Sequence, residues 1–66
     1  MPSEYAKQRI QTEINTVKQQ LIDTTHAIRE ADSNDIELMS DYYKLREIQL
    51  KEKLSTLQWV KTILNV

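Results

Sequence analysis

Apolar residues recur along the first half of the chain at alternating spacings of four and three. Ile10, Ile14, Val17, Leu21 and Ile28 stand 4, 3, 4 and 7 positions apart. At 100° per residue they fall within about 60° of one another on a helix. Ala6 and Ala31 extend the line, and Thr24 occupies the position that the stripe skips. Only Ile22 and Tyr5 lie well away from it. This is a heptad seam, a single narrow apolar face suited to one partner helix.

The second half reads differently. Ile36, Met39, Tyr43, Leu50, Leu54, Leu57, Val60 and Leu64 form one broad stripe, assigned to the first helix. Leu38, Leu45, Ile48, Trp59 and Ile63 cluster on roughly the opposite side, with Tyr42 between the two sets. In an isolated hairpin this second face would point at water. Burying a large apolar side chain gains about 1.5–3 kcal/mol, so such a patch marks an interface. The second helix is therefore expected at the centre, between its own first helix and another chain.

One break separates the two patterns, at Ala31-Asp32-Ser33-Asn34-Asp35. Short polar side chains compete for backbone hydrogen bonds and suit caps and turns. The flanks are rich in Gln, Glu, Lys, Leu, Ile and Arg, all good helix formers. The pattern predicts helix 1 at about 3–31, a turn at about 32–34 and helix 2 at about 35–64. Ser3 after Pro2 is the expected cap of the first helix. Asn34, with Glu37 three positions on, is the expected capping box of the second. Rods of roughly 40–45 Å joined by so short a connection must lie antiparallel. The predicted fold is an all-α, single-domain αα-hairpin, assembling through helix 2 into a homo-oligomeric helical bundle.

Between Tyr43 and Leu50 the main stripe finds Arg46 and Glu47 where an apolar residue is due. Three readings stand side by side. The polar layer fixes register and partner number; it lines a ligand pocket with Tyr42, Tyr43, Arg46 and Lys18; or Arg46 snorkels off the edge of the stripe.

Composition narrows the chemistry. The chain has 66 residues, no Gly, no Cys, and its one Pro at position 2. Hairpin turns, phosphate-cradling loops and nucleophile elbows are then hard to place, and thiolate metal sites are excluded. No run of about 18 apolar residues spans a membrane, and the charged start MPSEYAKQRIQTE does not read as a signal peptide. A cytoplasmic location, in the producing or host cell, is the expectation. Nine Lys and Arg against ten Asp and Glu leave a net charge of −1, without the basic excess of a nucleic-acid binder. The charges are unevenly spread, however. Residues 30–41 carry Glu30, Asp32, Asp35, Glu37 and Asp41 with no Lys or Arg, whereas 44–61 carry Lys44, Arg46, Lys51, Lys53 and Lys61 against Glu47 and Glu52. Hairpins set head to tail would bring the acidic loop of one over the basic half of the other.

Asp23-Thr24-Thr25-His26 has the carboxylate–histidine spacing of metal-binding bundles, with Glu30 one turn further on. Asp23 and His26 project about 140–160° from the seam, so no core metal site, and no cofactor, is expected. The serines have no His to activate them, and a hairpin can hardly enclose a dry pocket. The chain is read as a non-enzyme.

The expected function is that of an interaction protein: a small adaptor, inhibitor or chaperone-like regulator acting as a homo-oligomer. Leu38, Tyr42, Leu45, Ile48, Trp59 and Ile63 form its oligomer or partner-binding face. Its partners would be itself and another protein. The first alternative is an oligomeric sponge that sequesters a small anionic ligand, such as a nucleotide, through Lys18, Tyr43 and Arg46. The second is nucleic-acid regulation. In length and shape the whole chain resembles the small hairpin dimers that form four-helix bundles, of which the plasmid-copy-number regulator Rop is the familiar case. It also resembles short hairpin co-chaperones of type III secretion needles and small hairpin proteins that phages encode against host defences. The compact, accessory-gene look of the chain favours a bacterial or phage source; no functional residue is carried over from the resemblance.

Overall fold

The computed structural model describes residues 4–64. It contains two helices, α1 (Glu4–Ser33) and α2 (Glu37–Leu64), packed antiparallel in a rod of 51 × 14 × 11 Å. The expected cap Ser3 lies outside the described residues. Glu4 stands in the first turn of α1, and Lys61 in the last turn of α2, where each charge is opposite in sign to the local end of the helix dipole and stabilises it.

The turn departs from the capping box expected at Asn34. α1 continues to Ser33, and the Asn34 amide still donates to the Glu30 carbonyl at 3.2 Å. The Ile36 amide then donates to Ala31 O at 3.0 Å and the Asp35 amide to Asp32 O at 3.2 Å. These two bonds define a Schellman motif, with Asp35 in the left-handed conformation at φ 55°. Glycine normally fills that place, and the chain has none; a short Asx side chain is the next best tolerated there. Ile36 closes α1 and opens α2 at once, because its carbonyl accepts the first bond of α2, from the Ser40 amide at 3.0 Å. The cap of α2 is thus an apolar residue. Asn34 instead turns its side chain back, donating from Nδ2 to Glu30 O at 3.0 Å.

The core is a line rather than a volume. Ile14, Val17, Ala31 and Leu50 are its buried apolar members, joined by buried Thr24 and Ser40. Ile10, Leu21 and Ile28 of α1 and Tyr43, Leu54, Leu57, Val60 and Leu64 of α2 flank them, half-buried. The α1 side of this packing is the heptad seam read from the sequence. On α2 the contact line is shifted at the loop end. Ser40 is buried at 2% exposure, while Met39 and Ile36 remain 42% and 46% exposed. The reason is close approach: Ala31 and Ser40, both small, let the helices meet tightly beside the turn, and the strict four–three spacing runs through Ile36, Ser40, Tyr43, Glu47 and Leu50.

Candidate interaction surface

Polar links along the hairpin fix which residues of α1 and α2 share a level. Ser40 Oγ donates to Asp32 Oδ1 at 2.5 Å near the turn, and Lys61 Nζ donates to Gln11 Oε1 at 2.6 Å near the open end. Lys53 pairs with Glu13 at 3.3 Å, and Thr25 Oγ1 lies 3.4 Å from Glu47 Oε2. The Thr25 hydroxyl is 2.9 Å from the Leu21 carbonyl, so its single proton goes chiefly there and the approach to Glu47 is weak.

This register separates the two residues of the polar layer. Glu47 occupies the seam, with its side chain 25% exposed and its other oxygen 3.4 Å from Lys51 Nζ. Arg46 lies outside the seam, exposed. Lys18 is exposed as well, and it stands near the level of Leu54, about two turns from Arg46. Tyr43 is half-buried, with its ring packed edge-on against that of Tyr42 at 5.4 Å between centroids. A single hairpin therefore does not gather Lys18, Tyr43 and Arg46 into one pocket. The groove it does present, about 230 Å³ and open, lies at the loop end between Ala27, Glu30, Ala31, Asn34, Ile36, Met39 and Tyr43. Its only charged lining residue is Glu30, which does not suit an anion.

Asp23 and His26 are exposed, and among the described residues no group of three His, Asp or Glu side chains is placed to hold a metal. No helix among them is long and apolar enough to cross a membrane. Comparison with protein-family models, with curated proteins and with solved structures finds no match.

The surface of α2 turned away from α1 is the most distinctive feature of the hairpin. It exposes Leu38 at 82%, Trp59 at 65%, Tyr42 at 58%, Leu45 at 56%, Ile48 at 54% and Ile63 at 50%. All six residues that the sequence assigned to an interface thus stand open on the outer side of this helix. Exposed apolar residues of α1, Tyr5 and Ile22, stand singly. The sequence did not reveal the inward position of Ser40 or the link from exposed Lys61 to α1. Continuing the four–three spacing of the α2 seam through both positions would have pointed to them.

Proposed function

We propose that the protein is a non-enzymatic helical-hairpin interaction protein that acts as a homo-oligomer through the outer face of α2. On this reading it serves as a small adaptor, inhibitor or chaperone-like regulator. The observation that carries the proposal is the grouping of Leu38, Tyr42, Leu45, Ile48, Trp59 and Ile63, each at least half exposed, on a single helix. Scattered apolar surface residues are normal, but a concentration of this size on one face is the mark of an interface. The thinness of the core supports the same reading. Four buried apolar residues among those described are few for a chain with no cysteine to form a bracing disulfide. Covering the outer face would make α2 the central helix of a bundle, with the partner protein held on the remaining surface.

The test is absolute mass in solution, by light scattering behind a sizing column over a wide concentration range. The unaltered protein is expected to run as a dimer or larger species. Tyr42→Ala combined with Trp59→Ala is expected to yield a monomer of similar helical content, whereas Tyr5→Ala with Ile22→Ala leaves the mass unchanged. A monomer at every concentration of the unaltered protein would overturn the proposal.

A further inference from the structure

The outer face of α2 has an internal order that specifies how a second copy would lie on it. Leu38, Tyr42, Leu45, Gln49, Glu52, Thr56, Trp59 and Ile63 follow an unbroken four–three spacing, and all are exposed. The face thus forms a second heptad seam with large apolar residues at both ends and a polar waist at Gln49, Glu52 and Thr56. From this pattern we infer that the occupant is a second copy of the chain, packed antiparallel, α2 on α2, about a twofold axis that crosses the outer face between Gln49 and Glu52. The inference rests on the reading proposed above and adds the partner's orientation and register.

Three features select this arrangement. First, reversing the seam about that axis sets Tyr42 against Trp59 and Leu38 against Ile63, and each pair occurs twice by symmetry. Leu45 then faces Thr56, whose methyl group completes the apolar contact. Second, the waist sets Gln49 against Glu52 of the other copy, so an amide donor meets a carboxylate acceptor on both sides of the axis. A parallel alignment would set Glu52 against Glu52, a like-charge pair within the seam. Third, the hairpin carries opposite charge at its two ends. Residues 29–41 hold Glu30, Asp32, Asp35, Glu37 and Asp41 against Arg29 alone, whereas the open end holds Lys7, Arg9, Lys53 and Lys61 against Glu4 and Glu13. Antiparallel packing places unlike ends together, and parallel packing would stack the acidic loops. The polar waist is the device that fixes register, since a slip by one heptad in either direction leaves Gln49 facing an apolar residue, Leu45 or Trp59.

The chain contains no cysteine, so engineered disulfides report the geometry directly. Leu45→Cys with Thr56→Cys in one chain is oxidised mildly, and the linked peptides are mapped after trypsin, which cuts between the two positions at Arg46, Lys51 and Lys53. Positions 45 and 56 lie about 16 Å apart on one helix, too far for a disulfide within the chain. The expected product is a dimer with 45–56 links between chains, and neither single variant is expected to link to itself. Links of 45 to 45 and 56 to 56 would establish parallel packing and overturn this inference while leaving the homo-oligomer standing. A dimer by light scattering with no link at either position would show that another face is used and would also overturn it. A monomer would remove both proposals together.

Discussion

Ser40 and Asp32 join the two helices across the turn, the Ser40 hydroxyl donating to the Asp32 carboxylate at 2.5 Å. Asp32 stands in the last turn of α1, where a negative charge opposes the helix dipole, and its bond to the first turns of α2 offsets that cost. Ser40 is 2% exposed whereas Asp32 is exposed, so removing the hydroxyl loses a charge-assisted bond at the helix contact while water takes over the carboxylate. Ser40→Ala is expected to lower stability by about 1–2 kcal/mol. Asp32→Ala should cost less, because it also relieves the dipole conflict. The double variant should be no worse than Ser40→Ala alone. Urea denaturation of the four proteins checks the cycle, and additive losses would show that the bond contributes nothing.

Asp35 adopts φ 55° at the left-handed position of the Schellman turn, a conformation that penalises any residue with a Cβ. Asp35→Gly is therefore expected to raise stability by about 0.5–1 kcal/mol, even after the added freedom of the unfolded chain. Asp35→Val, β-branched at the same place, should lower it by more than the glycine raises it. Thermal melts at one fixed protein concentration decide the matter; a lower midpoint for the glycine variant would contradict the strain.

Val17 is fully buried in the line of contacts, at 0% exposure, whereas Ile22 on the same helix is 52% exposed. Val17→Ala is expected to cost about 2 kcal/mol through lost burial and the cavity left behind. Ile22→Ala should change stability by less than about 0.5 kcal/mol. Equal effects in denaturation experiments would mean that Ile22 is covered in solution and that α1 has a partner surface of its own.

The α1 seam could be read from sequence because its apolar residues recur without competition. Ile10, Ile14, Val17, Leu21 and Ile28 leave only one way to turn the helix. The α2 seam was harder, because Met39 is the larger apolar residue and Ser40 the smaller polar one, yet Ser40 is buried. Hydrophobicity favours Met39. The tight approach beside Ala31 and the bond to Asp32 favour Ser40, and neither is visible until the turn is known. The turn departs from its sequence pattern for a related reason. Asn34 and Glu37 have the spacing of a capping box, but the Schellman bonds from Asp35 and Ile36 settle the chain first, and Ile36 becomes the cap. The outer face of α2 was legible by subtraction, since the apolar residues that α1 cannot reach must lie elsewhere.

Glu47 stands in the seam of α2 where an apolar residue would continue the spacing of Tyr43, Leu50 and Leu54, and its side chain is only 25% exposed. Its contacts do not compensate for that position: Thr25 Oγ1 and Lys51 Nζ each lie 3.4 Å away, and an ion pair one turn along a helix contributes only about 0.3–0.5 kcal/mol. Glu47→Leu buries apolar surface against α1 and ends the partial burial of a carboxylate. It is expected to raise stability by about 1–2 kcal/mol. If the layer also holds the two helices in register, the gain will come with a less uniquely packed hairpin. That loss would be seen as broadened amide spectra in NMR at unchanged helical content. A drop in stability would instead show that Glu47 is held by stronger interactions than those of the single hairpin, which would place the residue at a contact with a second chain.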